Sequence, residues 1–446
     1  MMKNQFPKSF IVGFAEFLKS EVYQFSRLAA KQQTNFAKMI IEYINSKKRR
    51  HNFDSDSFSM SSHELNQLFG RSKFNKIVEL TIPKLVAKTV NHNHAKGTTR
   101  AYKITSEAKG LFLKYCQSDQ SEKASGSQIT RHKETHQAIR SRDKNFNNAK
   151  CKLTLSNTVK INKQNLLAIS SWAEPATDEL EEHESRYAIS CHLLLKQLDS
   201  NNRLPSYYQE ANSGRLYGQG CHLQYQPKMV REAALDGCWD YDIANCHFTI
   251  MSQLCRSYGV EVPFIEHYIS NKATVRKLIA QETDLDIKIV KQALISLLYG
   301  AKLVPSFESQ LFRLIGPEKI RLLINHPAVK NLNDDIKKAR KAILKHSHTH
   351  GNKVINVMRK AISKQTTNSK IFCHLLQGIE ARMLNIVGKL YSNDIVLLMH
   401  DGWVSKTKLN SQLIEEAIFQ ETGFHIIVEE TPIKFDLSDW EYKTAA

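Results

Sequence analysis

No stretch of this 446-residue chain approaches the ~18 consecutive apolar residues that a membrane-spanning helix needs, so no membrane association is expected. Nor does a continuous apolar segment follow Met1-Met2-Lys3-Asn4-Gln5-Phe6-Pro7. A signal peptide is therefore not expected, and the chain reads as cytoplasmic, nucleoid-associated or equivalent. The eight cysteines, at 116, 151, 191, 221, 238, 246, 255 and 373, include no Cys-x-x-Cys pair. Scattered thiols without ligand spacing fit reduced cysteines and argue against a structural zinc site. No internal repeat is visible. The first third also has little negative charge. Residues 1–165 carry 30 Lys and Arg against 12 Asp and Glu, whereas residues 166–446 carry 33 against 32. Nearly all of the net +19 therefore sits in one segment, which reads as a nucleic-acid-binding region or, more plainly, a solubilising basic tail.

At this length two or three domains and an ample core are expected. Phe10, Phe14, Phe17, Leu18, Val22, Phe25 and Leu28 recur at three- and four-residue spacing, so residues 8–46 read as helical. Ser61-Ser62-His63-Glu64 is a capping signal for a short helix ending near Gly70. A second short helix runs from Lys73 to about Leu80, and two strand-like pieces, 85–90 and 100–105, flank the basic stretch from Asn91 to Arg100. Helix, helix and basic hairpin is the order of a winged helix-turn-helix; a small helical domain with a basic surface reads the same way. Polar residues 117–165 read as a linker, and a body of 166–446 follows. In it, 185–198 reads as a helix, and 423–430 and 433–435 as strands.

Five elements of that body carry chemistry. They are Ser213-Gly214-Arg215-Leu216-Tyr217 with His222-Leu223-Gln224-Tyr225-Gln226-Pro227 and Arg231; Trp239-Asp240-Tyr241-Asp242-Ile243 running into a helix with His247; a helix from Lys288 carrying Lys291, Ile295 and Tyr299-Gly300; Gln377-Gly378 on a helix; and His400-Asp401 delivered by an apolar run. Asp242 and Asp401 are carboxylates on different strand-like elements. Asp240 shares a strand face with Asp242, either as a supporting carboxylate or as a salt-bridge partner.

The order and spacing of these elements resemble the family A DNA polymerases, the bacterial DNA polymerase I type, and more distantly the single-subunit phage-type RNA polymerases, over about residues 205–440. The family reads T-G-R-L-S-S, N-L-Q-N-I-P and D-Y-S-Q-I-E-L-R where this chain reads S-G-R-L-Y-G, H-L-Q-Y-Q-P and D-I-A-N-C-H-F-T. The resemblance implies a right-hand polymerase of α+β class, with an antiparallel palm sheet, helical fingers and a short thumb. It implies Mg²⁺ (or Mn²⁺) at Asp242 and Asp401, with Lys291 gripping the incoming triphosphate. Lys288, Ile295, Tyr299 and His247 would line the nucleotide pocket, and Arg215, Gln224, Arg231, Gln377 and His400 would meet the primer–template. Partners would be DNA and a dNTP or NTP, the chain a monomer.

The chain also departs from the family. Ile287 stands where the family has an arginine that grips phosphate, with Lys288 or Arg276 as substitutes; Ile295 is aliphatic as in the RNA enzymes; His247 replaces the glutamate that blocks a ribose 2′-hydroxyl; Gly402 replaces an acidic residue. No paired-acid motif for a proofreading exonuclease stands in the first third. His346-Ser347-His348-Thr349-His350 reads as a solvated loop rather than a metal tract. The expected function is a template-dependent DNA polymerase of a mobile element. A primase or RNA polymerase, and a non-catalytic DNA-binding initiator with a degenerate palm, are the alternatives.

Overall fold

The computed structural model of the protein describes residues 8–22, 25, 28–45, 57–59, 85–90, 101–117, 155–172, 182–306 and 309–438. The expected helices near 61–70 and 73–80, the connection 91–100 and most of the polar segment from 118 to 154 lie outside them. Helices combine with small sheets in which every described strand pair is antiparallel. This is the α+β class. No described helix is long and apolar enough to cross a membrane.

The first helical stretch is divided, contrary to the single run expected of residues 8–46. Helices Lys8–Glu21 and Ala30–Asn45 fold back on one another, with Phe25 edge-on to Phe36 at 5.9 Å between ring centroids. A continuous helix would leave its apolar stripe without a partner, and the reversal buries Phe14, Phe25, Phe36 and Ile40 together. Strands β1 (Ser57–Ser59), β2 (Val86–Val90) and β3 (Ala101–Ile104) form a sheet of order β1-β3-β2. Two of these were legible in the sequence and β1 was not. Helix Ser106–Gln117 closes this part, and its core takes in Ile189, Leu193 and Cys221 from the body.

The expected linker ends earlier than residue 165. Strand β4 (Thr158–Lys160) pairs with β5 (Arg203–Pro205), and Val159 and Ile161 are buried. An apolar alternation of two residues was too short to read as a strand. Helices Lys163–Trp172 and Glu182–Leu195 follow, the second starting and ending three residues before the stretch expected at 185–198. Strands β6 (Tyr208–Glu210) and β7 (Leu216–Gly218) form a hairpin around Arg215.

The sheet that positions the site has the order β12-β13-β8-β14, with β8 Trp239–Ile243, β12 Ile395–Leu398, β13 Gly402–Ser405 and β14 Val428–Pro432. Before β12 comes the small sheet of β9 (Thr349–His350), β10 (Lys353–Ile355) and β11 (Ala361–Ser363). β8 alternates: Tyr241 and Ile243 are buried, and Asp240 and Asp242 take the other face. Tyr241 stacks on Trp403 of β13 at 5.3 Å over the largest core. Met229, Val230, Leu397 and Val404 fill a second core, and Val404 is the register partner of Asp240, so the carboxylate face is covered at that end and open at Asp242. The C-terminal expectation is corrected: one strand, β14, replaces those at 423–430 and 433–435. Pro432 brings no N–H to the ladder, although Ile433 still donates to the Cys238 carbonyl at 2.7 Å.

Gly402 pairs with Asp242, and a Cβ there would stand 2.2 Å from the Tyr241 carbonyl oxygen. That obstacle is backbone in a central strand. Gly402→Ala is expected to destabilise the body by about 3 kcal/mol, the upper end for overpacking, read as a lowered midpoint in chemical denaturation.

Candidate active site

Asp242 and Asp401 meet because the β12–β13 hairpin is locked beside β8. The Ile243 amide donates to the Asp401 carbonyl at 2.9 Å, and Met399 donates to Gly402 at 2.8 Å. Behind the hairpin, the Gln224 amide donates to the carbonyls of Leu398 (3.0 Å) and Leu216 (3.2 Å) and accepts from the Gly218 amide (2.8 Å). Leu398 donates in turn to the Tyr208 hydroxyl at 2.9 Å. Gln224, expected at the primer–template, is thus buried and fully engaged with backbone.

Both aspartates keep solvent-accessible surface although protein crowds their carboxyl groups. Burial, then the Asp401, Glu429 and Asp240 charges, push the Asp242 carboxyl up to about 7, against the pull of Lys291. Burial and the Glu380 charge raise Asp401. A carboxyl pushed up by burial and by the charge of a second carboxylate marks a site short of positive charge. That donor set fits Mg²⁺ or Mn²⁺.

Beside them lies a buried polar chain. Glu380, on the long helix Asn368–Leu390, grips Arg215 through both oxygens, Nε to Oε1 at 2.6 Å and Nη2 to Oε2. His247 Nε2 lies 2.9 Å from the same Oε2, and His247 Nδ1 lies 2.8 Å from the Tyr299 hydroxyl. His247 thus bridges Glu380 and Tyr299, one ring nitrogen to each. Burial works to raise Glu380, and the His247 and Arg215 bonds overcome it and hold the carboxyl below its usual range. Burial works to lower Arg215, and Glu380 outweighs it, so the guanidinium stays charged. Arg215, expected to touch primer–template, is instead enclosed at 8% exposure.

Cys246, His247 and Glu380 bring ligand atoms within 4.8 Å of one another, the only such group of three among the described residues. They suit a metal poorly. Arg215 already neutralises Glu380, Tyr299 occupies His247 Nδ1, and burial drives the Cys246 thiol well up. The histidine tract does not converge either: His346 stacks on Tyr258 at 4.2 Å and bonds the Ala342 carbonyl, and His350 lies in β9.

The helix Ile287–Leu298, capped by the Asp286 side chain and ending at Tyr299, presents Lys288, Lys291, Ile295 and Tyr299 at helical spacing along one stripe. Val290, Ala293, Leu294 and Leu297 bury its other side. Lys288 and Lys291 are exposed, Ile295 and Tyr299 half-buried. Ile287 is exposed too, at 45%, so the position of the missing arginine faces solvent.

The remaining expected residues divide. His400 meets Tyr217 edge-on at 5.2 Å, beside Asp401. Gln377 is half-buried one residue before Gly378, where a Cβ would come 2.5 Å from Asn356 Nδ2. Arg231 sits half-buried near Asp240, whose charge it offsets, while burial raises the Asp240 carboxyl. Sequence reasoning missed Glu380 and Asn356. The first had a signal, an acid inside the apolar run 375–381. Asn356 had none; it ties Ser213 and His374 carbonyls together at 2.9 and 3.2 Å.

No protein-family model matches the chain. No curated protein matches it either. Among solved structures the chain is similar to the POL domain of Pol1 from M. smegmatis, solved in complex with DNA primer-template and dNTP, with a TM-score of 0.41 and 14% identity. The likeness covers 60% of this chain and 54% of that one, so the chain spans about half the length of the structure it matches.

Proposed function

We propose that the protein is a template-dependent nucleotidyltransferase, a compact DNA polymerase of the family A type without proofreading, serving replication of a mobile element. The observation that carries this reading is the juxtaposition of Asp242 and Asp401, from β8 and the β12–β13 hairpin, with the charge of Lys291 acting on Asp242. On this reading the four-stranded sheet is a palm and the Lys291 helix belongs to the fingers. Divalent ions at the two aspartates would supply Lewis-acid activation of a primer hydroxyl and neutralise the leaving pyrophosphate. The chain's own residues position and neutralise: Lys291, with Lys288, attracts the triphosphate; Tyr299 borders the nascent pair; His400 and Gln377 lie toward the primer. The protein would act as a monomer.

His247 favours a second reading, that of a primase or single-subunit RNA polymerase. It bonds Tyr299 where the family's glutamate excludes ribose, so an imidazole and not a carboxylate would meet a 2′-hydroxyl. A denaturing-gel assay with Mg²⁺, on primed and single-stranded DNA, with dNTPs and NTPs supplied separately, decides between them. Primer extension by dNTPs alone is expected. Short products from NTPs on unprimed template would move the assignment to a primase. No product dependent on Asp401 under any condition would leave a DNA-binding protein with a disabled site.

The basic first third would recruit the DNA. Deleting residues 1–165 would strip Ile189, Leu193 and Cys221 of their cover, so charge substitution is the cleaner test. Replacing Arg140, Arg142 and Lys144 by Gln is expected to flatten the slope of log affinity against log salt by up to about 2–3, at ~0.9 per phosphate contact. An unchanged slope would place DNA binding elsewhere.

A further inference from the structure

Asp242 has register partners on both sides of β8: Gly402 on β13 and Glu429 on β14. Paired residues in antiparallel strands project to the same face, with Cβ atoms about 4.5–5.5 Å apart. The row across the sheet therefore reads glycine, carboxylate, carboxylate, with Asp401 next to the glycine. Gly402 has no room for a side chain, so the only register partner that sets a side chain beside Asp242 is Glu429 on β14. Glu429 is not idle there. Its carboxylate holds Lys272 at 2.6 Å, with the side chains 50% and 33% exposed. The pair stands in the wall of a cavity of about 440 Å³, lined also by Ala244, Asn245, Ile269 and Ile427, immediately beyond the end of β8. An anion facing the proposed metal ligands and a cation facing the cavity are thus joined by a contact that solvent reaches.

We propose that Glu429 and Lys272 form a latch that opens onto a metal–nucleoside triphosphate. Glu429 turns to the divalent cation at Asp242 and adds a third carboxylate there, while Lys272, released, turns to the triphosphate in the cavity. No bond is made or broken; each partner exchanges one ionic contact for another of the same sign. The inference rests on the polymerase reading of the site.

The test measures binding as well as turnover, on the full chain. Mn²⁺ affinity is read by electron paramagnetic resonance, and affinity for dNTP with a non-reacting divalent ion by calorimetry. The variants are Glu429→Gln, Lys272→Met and, as reference, Asp401→Asn. Glu429 is exposed and Lys272 half-buried, so folding should be retained and circular dichroism checks it. Glu429→Gln is expected to weaken Mn²⁺ binding about 10-fold, the lower range for losing a supporting carboxylate. Lys272→Met should leave Mn²⁺ binding within about twofold and weaken triphosphate binding about 10-fold, as loss of one charge-assisted contact would. If Asp401→Asn loses Mn²⁺ while Glu429→Gln binds both ligands as the wild type does, the latch is overturned and the polymerase reading stands. Mn²⁺ binding indifferent to Asp401 would overturn both.

Discussion

Asp401→Asn is expected to reduce primer extension by at least about 10³-fold, some 4 kcal/mol of barrier, while making the metal-free protein more stable. Both effects have one cause. In the absence of a cation, burial and then the nearby Asp401 charge disfavour the ionised form of Asp242, so its carboxyl is pushed up to about 7. An unfolded aspartate titrates near ~3.9. Between those values the folded chain holds a proton that the unfolded chain has released, so stability falls as pH rises through the window and stays low above it. One pH unit corresponds to ~1.4 kcal/mol. Asp242 retains solvent contact, and screening reduces the three-unit window to about 1–2 kcal/mol. Thermal melts in EDTA should therefore show the wild type losing stability between about pH 4 and 7 relative to Asp242→Asn, with Mg²⁺ abolishing the difference. Equal pH dependence in the two proteins would mean that the aspartates are not coupled and would undercut the site.

Glu380→Ala should be the most damaging single change to the fold of the body, at about 3–5 kcal/mol, because it strands a buried guanidinium. Arg215 is enclosed and donates to both Glu380 oxygens, and His247 loses its Glu380 partner at the same stroke. Replacing the pair together, Arg215→Met with Glu380→Leu, is expected to recover most of that loss, since apolar groups of similar volume remove the uncompensated charge. Extension should not recover with it. His247 would then be held only through Tyr299, and the wall of the nucleotide pocket would be free to turn. Chemical denaturation gives the first quantity and the gel assay the second. A double variant that regains both would make the buried pair a packing device only.

The parts of this site that follow from local sequence were legible. An apolar run ending in His-Asp gave the β12–β13 hairpin. The alternation Trp239 to Ile243 gave β8 with its carboxylates on one face, and helical spacing gave the stripe from Lys288 to Tyr299. What failed needs non-local knowledge. Whether Arg215 and Gln224 face DNA or the interior depends on Glu380 and on the Leu398 carbonyl, which are 165 and 174 residues away. The absence of an acidic residue at 402 looked like a defect in a family pattern, and its reason is the distance from Gly402 to a neighbouring strand. Glu429 carried no signal, because only register places it opposite Asp242. The division of the first helix and the pairing of β4 likewise depend on which apolar surfaces find each other.

One seam in the molecule is missing. The described helices of the first 117 residues share a core with Ile189, Leu193 and Cys221 of the body, so they are not a module that recombination could lift away and replace. A foreign DNA-binding domain grafted at that junction would leave an apolar surface wet. On the proposed reading, the address on DNA and the machinery that works there would be inherited as one piece, and a change of template preference would have to come by substitution within the region rather than by exchange of it.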